Sequence, residues 1–148
     1  MTGPVGVGAM YHVLVPMDAD EDRAMTQARY VADLPEADGG VKATVLFIFG
    51  RGDDIPEEWE KFKSANRIGS VRHATEYLED HGVEVELLDE SGDTSEFILR
   101  EAEERAVDAI VLGGRKRSPA GKALFGSVTQ SVILNTDIPV VVTGGRPE

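Results

Sequence analysis

Strict alternation of short apolar runs with stretches of helical periodicity constrains this chain more than any other feature. His12–Met17 reads HVLVPM, Ala43–Phe49 reads ATVLFIF, Ala109–Leu112 reads AIVL and Pro139–Thr143 reads PVVVT. Near-continuous apolarity over so few residues fits strands buried on both faces, as in a parallel sheet. Glu84–Leu88, EVELL, alternates and is half polar, which predicts a strand nearer a sheet edge. Between the runs, Glu21–Leu34 carries Ala24, Ala28, Val31 and Ala32 on one helical face, with Pro35 beyond its end. Glu57–Asp80 sets Trp59, Phe62, Ile68, Val71 and Leu78 on a helical period and predicts one long amphipathic helix, ended by Gly82. Asp93 and Glu96 have the spacing of a capping box before a helix running to about Ala106. Gly126-Ser127 opens a short helix that ends near Asn135. The order is β-α-β-α-β-α-β-α-β, so the expectation is an α/β fold: a doubly wound, Rossmann-like, five-stranded parallel sheet with four helices on its two faces. Ligands of such sheets sit outside the carboxyl ends of the strands, where the winding reverses.

A chain of 148 residues fits one such domain. Residues 1–9, MTGPVGVGA, read as a flexible leader and 10–148 as the domain. The Gly6-Val7-Gly8 triplet is no dinucleotide fingerprint, because a strand follows it rather than precedes it. No apolar run reaches the ~18–20 residues of a membrane helix, and no secretory signal pattern opens the chain. Cysteine is absent, which removes disulfides and thiol chemistry. The address expected is cytoplasmic. Acids outnumber bases 27 to 15, a net charge of −12, which argues against nucleic acid as a partner. Five of the bases are lysine; such a surface suits either a high-salt cytosol, as in a halophile, or an ordinary acidic mesophile.

Against that acidity, Gly113–Val128, GGRKRSPAGKALFGSV, contains no carboxylate. It follows the fourth strand and leads into the last helix. A helix start has unpaired N–H groups and about half a positive charge, which makes it an anion site. Ser127 adds a hydroxyl, and Arg115, Lys116, Arg117 and Lys122 add positive charge. Glycine at 113, 114 and 121 allows close backbone approach. The segment is not a Walker A loop, since Ala123 follows Gly121-Lys122. The plainer reading is a loop over the sheet end whose bases offset the acidic surface.

With these residues in view, the chain resembles the universal stress protein family over about residues 10–145. The resemblance rests on Val15-Pro16-Met17-Asp18 closing the first strand, ATVLFIF in the second, the long helix before the third, IVLGG at the fourth and the final IPVVVT. The nucleotide-binding signature G-x2-G-x9-G-[ST] falls on Gly113, position 116 and Gly126-Ser127, with Lys116 in place of the second glycine. The resemblance implies strand order 3-2-1-4-5 and a bound adenine nucleotide, ATP or another, with or without Mg. It places Pro16, Met17 and Asp18 near base and ribose, and Ala43 in backbone contact with adenine. Leu112, Gly113, Gly114, Arg115, Lys116, Arg117, Ser118 and Pro119 would track the phosphates, with Gly126, Ser127, Val128 and Thr129 closing the site. It also implies a homodimer joined through the last strand, an apolar edge that invites pairing. The alternative function is a nucleotide-free dimeric interaction module whose basic loop binds an anion or a protein.

Nothing in the sequence specifies catalysis. Ser127 has no base in a recognisable motif, and no paired carboxylates stand out. Slow ATP hydrolysis, or a phosphate-transfer activity, is the weakest reading. His12 at a strand start is expected on the surface. His73 and His81 lack a metal-binding motif, and the acids Asp53, Asp54, Glu57, Glu58 and Glu60 read as a solvated loop and helix start.

Overall fold

The computed structural model describes residues 10–50, 68–114 and 126–144. The elements are β1 (Tyr11–Met17), α1 (Glu21–Ala32), α2 (Ala37–Gly40), β2 (Val41–Gly50), α3 (Gly69–Asp80), β3 (Glu84–Gly92), α4 (Thr94–Glu104), β4 (Ala109–Gly113), α5 (Gly126–Leu134) and β5 (Val140–Thr143). All strand pairs are parallel, in the order β3-β2-β1-β4-β5.

Among the described residues there are five helices where four were expected, because α2 is a short turn that no apolar period could announce. Asp38 and Gly39 within it have non-helical backbone, with Gly39 at φ 85°. The expected continuous helix over 57–80 also needs correction. Ile68 is extended (φ −87°, ψ 123°), so α3 begins at Gly69. Its apolar period continues through Ile68 because that residue still packs in the core, 7% exposed. Trp59 and Phe62 lie outside the described residues.

Strand alternation sorts the core onto two faces. Val13, Val15, Met17, Val45 and Phe47 pack under α1 and α3 with Ala24, Ala28, Val71 and Leu78. Leu14, Leu46, Ile110 and Leu112 face the other way, against Ile98, Ala102 and Val132 of α4 and α5. Leu14, Leu46 and Ile110 are wholly buried, and burial of a side chain of that size stabilises by about 1.5–3 kcal/mol. Asp20 caps α1, its Oδ1 accepting from Arg23 N at 2.8 Å, and Asp93 caps α4, accepting from Glu96 N at 3.0 Å. Both caps start their helices just past a strand end, and this is where the candidate site lies.

Candidate functional site

The site is generated by the parting of β1 and β4. Their ladder holds only Val13 opposite Ala109 and Leu14 opposite Ile110, although β1 continues to Met17 and β4 to Gly113. Pro16 has no N–H to give. Past Leu14 the gap is bridged by a side chain: Gln27 of α1, 1% exposed, donates from Nε2 to Pro16 O at 2.6 Å and to Val111 O at 3.0 Å. One amide thus satisfies two carbonyls that the β1–β4 ladder leaves open. This is the reversal point of the winding, since α1 and α3 cover one face and α4 and α5 the other.

A cavity of about 470 Å³ opens there, within the size range of small-molecule sites. Leu46, Ile48, Ile98 and Leu112 give it an apolar wall, and Pro16, Met17 and Asp18 line it from the end of β1. Across from them are Gly126, Ser127, Val128 and Thr129, the first turn of α5. Gly126 has φ 85°, a conformation that glycine adopts without strain. The first turn of a helix offers N–H groups that its own carbonyls cannot satisfy, so this wall carries donors and the positive end of the dipole.

The wall near β1 is charged. Arg23 Nη1 lies 2.6 Å from Asp18 Oδ2, and Nη2 lies 3.7 Å from Asp20 Oδ2. Partial burial opposes the Arg23 charge, but the hydrogen bond and charge of Asp18, helped by Asp20, outweigh it and raise its pKa above the ordinary arginine value. Asp18 is also tied through its backbone, since Ser70 Oγ donates to Asp18 O at 2.6 Å. Gly113 is needed where it stands. A Cβ there would meet Arg23 Cδ at 2.7 Å and Gln27 Oε1 at 3.1 Å.

Pro16, Met17, Asp18, Leu112, Gly113, Gly126, Ser127, Val128 and Thr129 therefore meet around one cavity. Ala43 does not join them. It is fully buried, paired with Val13 and Val85 near the start of β2, on the face that packs α1 and α3. The register brings Leu46 and Ile48 to the cavity instead, because they lie further along β2 and on its opposite face. Gly114 also turns away. Its N–H donates to Thr143 O at 2.7 Å, and a Cβ would stand 2.5 Å from that oxygen, so it serves the close approach of β5. Arg115, Lys116, Arg117, Ser118 and Pro119 lie outside the described residues.

Arg23, Gln27, Thr94 and Ile98 line the cavity without having been singled out from sequence. Gln27 had a signal: it sits three residues after Ala24 and one before Ala28, a polar residue on an otherwise apolar stripe. Arg23 had none, since a base near the start of a helix usually faces solvent.

At the opposite end of the sheet, His12, expected on the surface, is half-buried. Its Nε2 lies 2.7 Å from Thr44 Oγ1, beside Glu86, which Arg105 holds at 3.0 Å and Lys42 at 3.4 Å. Burial, then Lys42 and Arg105, lower the His12 pKa against the opposing pull of Glu86 and Asp108. His73 contacts Glu21 and His81 its own helix. Among the described residues no cluster of His, Asp and Glu could hold a metal, and no helix is long and apolar enough to cross a membrane.

Comparison with known proteins decides the family. Residues 10–144 match the universal stress protein family. The chain belongs to that family. A curated universal stress protein of Mycolicibacterium smegmatis is 36% identical over 76 residues, 51% of this chain and 58% of that relative, so the match spans little more than half of its length. A universal stress protein structure from Archaeoglobus fulgidus superposes with TM-score 0.71 at 30% identity, covering 88% of this chain and 96% of that one. A second structure from that organism, solved in complex with dAMP, has TM-score 0.68 at 25% identity and covers 91% and 98%.

Proposed function

We propose that this universal stress protein binds an adenine nucleotide, ATP or another, in the cavity between the end of β1 and the first turn of α5. The observation that carries the reading is the meeting of an apolar slot, a carboxylate and a helix start at one reversal point. Leu46, Ile48, Ile98 and Leu112 suit a base, Asp18 suits sugar hydroxyls, and the N–H groups after Gly126 with Ser127 Oγ suit a phosphate. The nucleotide-bound relative adds support by its adenine ligand. Residues 10–148 act as one cytoplasmic domain, and occupancy of the cavity changes partner choice in a stress response.

The same reading includes a homodimer through β5. Val140, Val141 and Val142 are only half-buried at the sheet edge, and Ile133 and Leu134 are 43% and 80% exposed on the preceding helix. An apolar edge of this kind favours a second copy. A light-scattering mass near the monomer's 16.0 kDa at micromolar concentration removes this part.

One residue favours a second reading, a nucleotide-free interaction module: Lys116 stands where the nucleotide-binding signature has its second glycine. Thermal unfolding with ATP, AMP and cyclic AMP, each with and without Mg, separates the two. A ligand at a hundred times its Kd stabilises by about 2.7 kcal/mol, a rise of roughly 5–11 °C for a chain of this size. Ser127→Asp puts a negative charge on the phosphate wall and abolishes the rise. No rise at millimolar ligand leaves the interaction module.

A further inference from the structure

The two edges of the sheet differ in kind. β5 is four residues long, three of them valine. β3, the other edge, is nine residues long and pairs with β2 throughout, from Glu84 opposite Lys42 to Gly92 opposite Gly50. Among the described residues no strand lies on its far side. The groups it turns outward follow from the ladder. The carbonyls of His12 and Pro16 turn toward β4, one accepting from Asp108 N and the other from the Gln27 amide that also reaches Val111. Peptide groups alternate in direction along a strand, so Val13 and Val15 turn theirs to β2. Through the two registers, Ala43 and Val45 then turn to β3, and Glu84, Glu86 and Leu88 turn back to β2. Val85 and Leu87 are left with N–H and C=O directed away from the sheet.

The side chains alternate as well. Val85 and Leu87, half-buried, join the cluster under α1 and α3, whereas Leu88 joins the one beneath α4. Period two places Glu84, Glu86 and Glu90 on the face of Leu88. Arg105 and Lys42 hold Glu86. Glu84 and Glu90 have no ion pair among the described residues. The edge thus combines outward main-chain groups, a row of acids on one face and aliphatic side chains on the other.

We propose that the β3 edge docks an extended segment of a partner protein in which basic residues alternate with aliphatic ones, added as a sixth strand. Main-chain hydrogen bonds supply affinity in such strand addition, and alternate side chains supply specificity. The basic residues meet Glu84 and Glu90, and the aliphatic ones extend the surface of Val85 and Leu87. A second copy of β3 is disfavoured, because it would set the acidic rows against each other. The net charge of −12 further attracts a basic segment. None of this rests on the nucleotide reading.

The test is fluorescence anisotropy of a labelled seven-residue peptide alternating lysine with valine, titrated with the full chain. Two further peptides carry N-methyl groups on every second amide, one in each phase. Only one edge of an added strand faces β3, so one methylated peptide binds like the parent peptide and the other at least about tenfold more weakly. Reversing Glu84→Lys and Glu90→Lys together weakens the lysine–valine peptide by about tenfold and confers binding of a glutamate–valine peptide. Circular dichroism establishes that the double variant folds; if it does not, Glu84→Lys alone, at an exposed position, reads the same shift at about threefold. Equal binding of the two methylated peptides means attraction by charge alone and overturns strand addition. Unchanged binding by the reversed variant places the peptide on another surface, the β5 edge included, and overturns the site. No binding to the parent at millimolar peptide overturns the proposal altogether.

Discussion

Gln27 offers the sharpest test of how the fold makes its cavity. Gln27→Leu keeps the side-chain volume but removes the only side-chain donor given to Pro16 O and Val111 O among the described residues. The Val111 bond is buried and the Pro16 bond partly so. A buried acceptor left without a donor costs about 1–3 kcal/mol, so Val111 O contributes that range and Pro16 O, which water can reach in part, the lower end of it. The leucine recovers some of this by burying apolar surface in place of an amide, leaving a net loss of about 2–3 kcal/mol. For a chain of this size that is a fall of roughly 4–12 °C in melting temperature. Urea unfolding followed by circular dichroism measures it directly, as a lower midpoint at unchanged slope. A loss below about 0.5 kcal/mol, the size of an ordinary surface substitution, would refute the idea that this amide bridges the parted ends of β1 and β4.

Two further expectations concern other parts of the molecule. Gly114→Ala drives a methyl into Thr143 O, which lies 2.5 Å from the Cβ position; a backbone atom cannot swing aside, so β5 must shift, at a cost of about 1–3 kcal/mol. The urea midpoint reads this, and if β5 forms the dimer contact the variant also dissociates at lower dilution in light scattering. The stability of the parent should fall as pH drops below 6.5, the ordinary histidine value, because the His12 pKa is lower in the folded protein and the unfolded chain takes the proton first. His12→Gln flattens that part of the profile. A second decline, below 4.5, comes from Glu86, whose pKa is lowered because Arg105 and Lys42 outweigh its desolvation, and it persists in the variant. Identical slopes for parent and variant between pH 6.5 and the onset of the Glu86 decline would contradict the lowered pKa of the half-buried His12.

Much of the fold was legible because buried parallel strands are written locally. Runs such as Val13–Val15 and Val45–Phe47 need apolar side chains on both faces, and little else produces that pattern. The helix cap at Asp93 is likewise local chemistry. The turn at Ala37–Gly40 was not legible, since its shape depends on Gly39 at positive φ and on Gly39 N donating to Gly82 O, a partner more than forty residues away. The break at Ile68 was hidden for a related reason: packing demands an apolar residue there whether or not the backbone is helical. For the candidate site, the ends of β1 and β4 and the start of α5 were named through the family resemblance and the strand order 3-2-1-4-5 that it implies. The position on β2 was not legible. Ala43 and Leu46 belong to one apolar run, and only the register with β1 distinguishes the residue at the cavity from the one buried beneath α1. Arg23 reaches the cavity because Gly113 leaves room for its stem, a pairing across the chain that no local pattern announces.

The most direct measurement is a nitrogen–proton correlation spectrum of the isotope-labelled protein titrated with adenosine 3′,5′-cyclic monophosphate. The account predicts saturable shifts concentrated at Met17, Asp18, Arg23, Leu112, Gly113 and the Gly126–Thr129 turn, with the Gln27 side-chain amide moving in step. Shifts confined to the His12–Glu86 end of the sheet, or a spectrum unchanged at millimolar ligand, would contradict it.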